Sequence, residues 1–405
     1  MAKRHEYRPG DWEALAVRLD EIISAHSGED PFEEGFKLLV AKLMHERSGG
    51  VSGTFLADNP DVEPASGVDL LLARVAEEWR GVLDVGSRCQ LNVTELRRCA
   101  DLLRDVELIR EDMVGLDAIF EFIVNKASKG QKGQYFTPRH VVGEVARMMT
   151  PRPGERVADP ACGSGAFLRH ALAAEPECSV FGFDQDYRAV RVARAMMAAS
   201  GQPSWRVMRV DSLRRSGALA LPGDGATIEE MVRAKDPRFR GFDLVMTNPP
   251  FAGDVGDEFA SSYELAKERR AERDVLFLER CVQILRPGGR LAIVLPHNKV
   301  GGEHWVHVRR WLLLRAQVLA VVGLGRNTFM PHTSQKACVI IAVKRSRVLE
   351  AVPRSEEVVF FVSEREGKDA RGRLVLDPGG RVDHDLGEAT VAVQAAIRTV
   401  HQVEA

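Results

Sequence analysis

The sequence has no apolar run near the roughly 20 residues that a membrane-spanning helix needs. Its opening residues, Met1-Ala2-Lys3-Arg4-His5-Glu6, lack the apolar core of a secretory signal. The expectation is a cytoplasmic protein with no membrane partner. Cysteine is sparse: the six, at 89, 99, 162, 178, 281 and 338, form no C-x-x-C pair and do not cluster with histidine. That excludes a zinc-finger pattern and a disulfide framework, and predicts reduced thiols and no metal site. An excess of positive charge is also missing, since 56 Lys and Arg face 58 Asp and Glu for a net charge of −2. A chain that binds nucleic acid unaided ordinarily carries one, because phosphate neutralisation dominates affinity.

What remains is an ordinary globular composition, 45% hydrophobic and 28% charged over 405 residues, enough for two or three domains. The charge is unevenly spread. Between Arg280 and Leu349 twelve Lys or Arg face a single acid, Glu303. That run points to a phosphate-facing side; the plainer alternative is a solvated surface whose acids lie elsewhere in the chain.

The first 128 residues read as an all-α packing or docking domain, with helical periodicity over 68–83, 94–108 and 114–127. Asp30-Pro31-Phe32-Glu33 supplies a capping side chain, a proline at the first helical position and an early carboxylate, so a helix should run from there to about Arg47. Residues 129–133, Lys-Gly-Gln-Lys-Gly, form a joint. Residues 134–139, Gln-Tyr-Phe-Thr-Pro-Arg, then lead into a helix near His140 with Thr137 as its cap.

From there strand and helix alternate, which predicts a doubly wound parallel sheet over residues 129–350. Strand 157–160 turns through Ala161-Cys162-Gly163-Ser164-Gly165-Ala166 into a helix, and the glycines allow close approach to a ligand. Strand 180–184 ends in Asp184, 21 residues beyond Gly163, near the spacing at which an acid meets a ribose. A third strand, 205–210, ends in Asp211. The fourth, from Phe242, delivers Asn248-Pro249-Pro250-Phe251 to the sheet edge. Residues 285–289 read as a helix exit and turn, 290–296 as the fifth strand, and 318–324 with 338–343 as an antiparallel pair. Phe329 and Met330, in the loop between that pair, serve either as buried staples or as a stacking surface.

The prolines at 249 and 250 have no N–H, so this corner is rich in acceptors and poor in donors. It suits a planar conjugated amine: if the Asn248 side-chain oxygen and the Pro249 carbonyl each take one N–H, the nitrogen lone pair can leave conjugation and aim at an electrophile. Phe251 offers a face on which a base can stack, a contact of about 1–3 kcal/mol. Taken alone, the tetrad fits an Asn-Pro-Pro turn closing a strand equally well.

Residues 134–139, the run Asp159-Pro160-Ala161-Cys162-Gly163-Ser164-Gly165, Asp184, Asp211 and the tetrad 248–251 stand in the order shown by adenine-N6 DNA methyltransferases of the gamma arrangement. Over nearly its whole length, including 367–372 (Gly-Lys-Asp-Ala-Arg-Gly), the chain resembles the modification subunits of type I restriction-modification systems. The resemblance implies a class I fold that uses S-adenosyl-L-methionine: a Rossmann-like, seven-stranded α/β sheet behind an all-α N-terminal domain. It implies that Gln134, Tyr135, Phe136, Thr137, Pro138 and Arg139 line the cofactor pocket with Ala161, Gly163, Ser164, Gly165 and Ala166, and that Asn248 borders it. Asp159 would sit under the methionine moiety, Asp184 on the ribose hydroxyls and Asp211 on the cofactor's adenine amine. Asn248, Pro249, Pro250 and Phe251 would hold a flipped adenine of double-stranded DNA beside the cofactor, with no metal. The 55 residues 351–405 are too few for an independent recognition domain. They are expected to be a tail that contacts a partner, with sequence choice left to a separate specificity subunit and with a restriction subunit as a possible companion. Similar tetrads occur in enzymes that methylate guanine N2 of ribosomal RNA or a protein glutamine amide, and a catalytically silent scaffold is a further alternative.

Overall fold

The computed structural model describes residues 9–25, 30–50, 55, 64–109, 114–127, 137–215, 226–251, 253, 260–266 and 272–404. The chain divides into two compact units, Met1–Gln131 with Tyr187–Gln202, and Lys132–Asp186 with Pro203–Ala405.

The first unit is helical. Its elements are α1 (Pro9–Ser24), α2 (Pro31–Arg47), α3 (Pro64–Glu78), α4 (Val93–Leu103) and α5 (Val114–Ala127), joined by the helix Tyr187–Ser200. The start of α2 is as the sequence predicts: the Asp30 carboxylate accepts the Phe32 N–H at 2.9 Å ahead of Pro31. Apolar positions of α2 and α5, among them Phe36, Leu39, Leu43 and Phe120, are fully buried. α4 is shorter than the periodicity suggests. The N–H groups of Leu108 and Ile109 donate to the Glu46 carboxylate, so they are satisfied without continuing the helix. Arg191 is buried on the helix Tyr187–Ser200, where it donates to both Glu33 oxygens at 2.7 and 2.8 Å and lies over the Phe36 ring.

The second unit is built on the sheet. All seven expected strands are present: β1 (Arg156–Asp159), β2 (Ser179–Asp184), β3 (Trp205–Arg209), β4 (Phe242–Thr247), β5 (Leu285–Pro296), β6 (Ala316–Gly323) and β7 (Ala337–Lys344). An eighth, β8 (Val359–Val362), extends the order to β3-β2-β1-β4-β5-β7-β6-β8. β1 to β5 run parallel, β7 is antiparallel to both β5 and β6, and β8 runs parallel to β6. The expected turn at 285–289 is absorbed into β5 as a bulge: Phe242 pairs with Leu285 but Leu244 with Arg290.

β4 is central because its run of apolar residues, Leu244, Val245 and Met246, is fully buried. The Phe242 ring anchors its start among Phe181, Phe183 and Phe239 at centroid distances of 5.5, 6.1 and 4.8 Å. After β1 the chain winds outward to β3 and then returns to β4 on the other side of β1. The ends of β1 and β4 therefore flank the point where strand order reverses, the place where open α/β sheets bind ligands.

Residues 351–405 are integrated into this unit. They supply β8 and the helix Leu386–Glu404, which is fastened to α6 (Arg139–Met149). The Thr390 hydroxyl donates to Glu144 Oε2 at 2.7 Å, and the His384 ring stacks on that of His140.

Candidate active site

The sheet brings the acids and the tetrad to one edge. Asp159, buried at the end of β1, accepts the Ala161 N–H at 3.0 Å and the Thr247 hydroxyl at 2.7 Å, and both bonds fall on Oδ1. Burial pushes its pKa up to about 7; the two hydrogen bonds act in the opposite direction. Thr247 is fully buried and was not singled out from the sequence.

The turn after β1 carries two left-handed residues, Gly163 (φ 51°) and Gly165 (φ 80°), ahead of α7 (Ala166–Ala174). It lies along the end of β2: Cys162 N–H donates to the Phe183 carbonyl at 3.0 Å and Gly163 N–H to Asp184 Oδ2 at 3.1 Å. Asp184 also accepts the Asp186 N–H at 2.9 Å, and burial raises its pKa to about 6. Gly182, beneath this turn, is a second residue the motif reading missed. A Cβ there would lie 2.6 Å from Leu168 Cδ1 and 3.0 Å from Cys162 Sγ. Asp211, beyond β3, accepts the Leu213 N–H at 3.1 Å. Ala161 packs against an apolar wall of Leu213, Tyr263, Leu276 and Phe277.

Gln134, Tyr135 and Phe136 lie outside the described residues. Thr137 does not cap α6 as expected. Pro138 occupies the cap position with no side-chain bond, and Thr137 Oγ1 instead accepts the Asn248 Nδ2–H at 2.9 Å. Arg139 Nη2 reaches Ser164 Oγ at 3.5 Å. Residues 137 to 139 thus touch both the glycine turn and the tetrad. With Nδ2 committed to Thr137, Oδ1 is the acceptor end of Asn248. Pro249 is buried and Pro250 half-buried.

Two alternatives left open by the sequence are resolved, one at Phe329 and one in the basic run. Phe251 is buried and meets Phe329, itself buried, edge-on at 5.7 Å, so Phe329 is a packing residue. The basic run is largely engaged by the protein itself: eight of its twelve cations bond to carboxylates or backbone carbonyls, although only Arg280, Arg290 and Lys299 of them are buried and Arg286 is exposed. Arg280 pairs with Glu229, Arg286 with Asp243, Arg290 with Glu155, Lys299 with Glu272, Arg315 with Glu264 and Arg345 with Glu356, while Arg309 and Lys344 donate to backbone carbonyls. Arg310, Arg326, Lys336 and Arg347 are exposed. The acids that neutralise the run come from elsewhere in the sequence, as in the plainer alternative.

The residues fit a nucleoside-bearing cofactor: a turn without Cβ atoms at two positions, an acid at the end of the adjacent strand, and a buried carboxyl at the start of the turn. Among the described residues no group of His, Cys, Asp or Glu is placed to hold a metal ion, and no helix is long and apolar enough to cross a membrane.

This edge has the architecture of a class I methyltransferase, and residues 110–374 match the family N-6 DNA Methylase. The chain belongs to that family. It is 24% identical over 259 residues to the type I restriction enzyme EcoEI methylase subunit of Escherichia coli, covering 62% of this chain and 51% of the relative. To the type I restriction enzyme HindI methylase subunit of Haemophilus influenzae it is 32% identical over 319 residues, covering 72% of this chain and 66% of that one. The chain spans about half the length of several curated relatives that it matches. In fold it is similar to the methyltransferase subunit of a type I restriction-modification system from Streptococcus thermophilus. The TM-score is 0.62 at 16% identity, with 96% of this chain and 94% of that chain covered.

Proposed function

We propose that the chain transfers a methyl group from S-adenosyl-L-methionine to the N6 amine of an adenine flipped out of double-stranded DNA. It would do so as a modification subunit whose sequence specificity comes from a separate specificity subunit, with a restriction subunit as a further companion. The observation that carries this reading is the position of Asn248. It follows β4 directly, its amide nitrogen is held by Thr137, and the preceding Thr247 is bonded to Asp159 at the start of the glycine turn. That puts Asn248 and the glycine turn on one edge, which supports reading them as amine receptor and nucleoside site.

S-adenosyl-L-methionine, when bound, supplies a methyl group on a positively charged sulfur. Asp184 would take the ribose hydroxyls and Asp211 the adenine amine of the cofactor, while Asp159 supports the turn Ala161 to Ala166 that would hold it. Thr137, Pro138 and Arg139 would line the same pocket, with Arg139 reaching Ser164 on the turn. Asn248 Oδ1 and the Pro249 carbonyl each accept one N–H of the target amine, which draws its lone pair out of the ring. Transfer leaves N6 positively charged, and its extra proton then passes to solvent water, so no side chain has to act as a base. Extracting the base costs a few kcal/mol, which pocket contacts offset. Holding N6 in line supplies most of the acceleration.

The test is expression in a host free of adenine methylation, alone and with each neighbouring reading frame, followed by long-read detection of modified bases. N6-methyladenine at one motif, dependent on one neighbour, is the expected result. Methylation confined to ribosomal RNA guanine or to protein glutamine would replace the reading, and efficient site-specific methylation by the purified chain alone would remove the separate specificity subunit.

A further inference from the structure

Thr137 and Asn248 stand 111 residues apart and meet through one hydrogen bond, Nδ2 to Oγ1 at 2.9 Å. A carboxamide can present either end to a ligand, and only its oxygen can accept the N–H of an amine. In the observed orientation the nitrogen is turned to Thr137. The same short segment, through Arg139, reaches Ser164 on the glycine turn at 3.5 Å. The residue preceding Asn248 is fixed independently, by the Thr247 to Asp159 bond at 2.7 Å. Thr247, the last residue of β4, and Asn248 after it are thus tied to two separate segments of the chain.

We propose that Thr137 is a positioning residue for the target amine: it holds the Asn248 amide with Oδ1 toward the substrate, and makes that orientation depend on the segment that also touches the cofactor turn. This rests on the methyl-transfer reading given above and differs from a role for Thr137 as a cofactor contact. The hydroxyl acts through Asn248 and touches neither reacting atom. Without an acceptor at position 137 that bond is lost and the hold on the amide's orientation weakens, so its donor end can face the amine, which repels N–H. Binding of S-adenosyl-L-methionine then stays intact while alignment fails.

The experiment compares Thr137→Val, Thr137→Ser and wild type. Titration calorimetry measures S-adenosyl-L-methionine binding to each purified chain, and initial rates of N6-methyladenine formation are measured on host DNA in the complex assembled with the neighbouring subunits. Thr137→Val should bind S-adenosyl-L-methionine within about twofold of wild type and keep its KM, while kcat falls about 10- to 100-fold, the scale of one lost transition-state hydrogen bond. Thr137→Ser, which keeps an acceptor, should recover most of the rate. Two results would overturn the proposal: weaker S-adenosyl-L-methionine binding with kcat unchanged at saturation, which marks a cofactor contact, or equal kcat for all three proteins. If Thr137→Val does not fold, the comparison moves to Thr137→Ala against Thr137→Ser with the same readouts. A wild-type complex that makes no N6-methyladenine would instead defeat the methyl-transfer reading itself.

Discussion

Replacing Thr247 by valine keeps shape and removes one hydroxyl, the one that donates to buried Asp159 at 2.7 Å. Asp159 would keep its bond from the Ala161 N–H. A hydrogen bond to a charged group contributes about 1.5–3 kcal/mol net. At 1.36 kcal/mol per pH unit, its loss raises the Asp159 pKa by about one to two further pH units. The sign of the pH dependence follows. In wild type the native pKa, about 7, already lies above the usual carboxylate value, so the native state holds a proton the unfolded chain has lost, and stability falls as pH rises toward 7. In the variant that fall continues to a higher pH, so the extra loss appears only above pH 7. At pH 9 the unfolding midpoint of Thr247→Val should drop by roughly 3–12 °C, from about 2–4 °C per kcal/mol for a domain of this size. At pH 6 it should nearly match wild type. Thr247→Ser, which retains the donor, should show neither effect. Thermal scans followed by circular dichroism at the two pH values decide the matter; an equal loss at both, or a larger one at pH 6, would mean that the hydroxyl does not act through the Asp159 charge.

Other outcomes follow from the same geometry. In the proposed role Asp184 accepts from ribose hydroxyls most strongly when charged, and its pKa is raised to about 6, so S-adenosyl-L-methionine affinity by calorimetry should be full near pH 7.5 and weaken steadily below pH 6; affinity that rises on acidification would contradict the proposed role. Gly182→Ala forces a Cβ to within 2.6 Å of Leu168 and should cost about 1–3 kcal/mol in a melting experiment, with part recovered by adding Leu168→Ala. Lys299 is buried, bonded to Glu272 at 2.6 Å and 3.6 Å from fully buried Asp274, with its ammonium 3.7 Å from the Trp305 ring centroid. Lys299→Met takes this cation from Asp274 and should destabilise the protein by about 3–5 kcal/mol in urea titrations; a shift under 1 kcal/mol would show that the pair is dispensable.

The core of the sheet was legible because its strands are continuous apolar runs between turn signals. β4 reads as a buried strand on Leu244, Val245 and Met246 alone. β8 was not legible: only four residues long, it is defined by its pairing with β6, and Phe360 and Val362 remain exposed. The helix Leu386–Glu404 likewise owes its place to Glu144 and His140, more than 200 residues earlier. Thr137 illustrates a local rule overruled at distance. A hydroxyl before Pro-Arg reads as a helix cap, yet its partner, Asn248, lies just beyond β4. The run from 280 to 349 misled for the same reason, because Glu155, Glu229, Asp243, Glu264 and Glu272, which neutralise it, lie outside the run. Local patterns carried the motifs; the pairing of charges required the fold.

The central claim is that Asn248 handles the amine while the β1 and β2 ends handle the cofactor. The direct measurement is Asn248→Ala, assayed by calorimetry for S-adenosyl-L-methionine binding and by mass spectrometry of nucleosides for N6-methyladenine made with the assembled complex. The account predicts binding within a few-fold of wild type and methyl transfer reduced by about 100-fold or more. Loss of binding together with transfer, or transfer that survives the substitution, would contradict it.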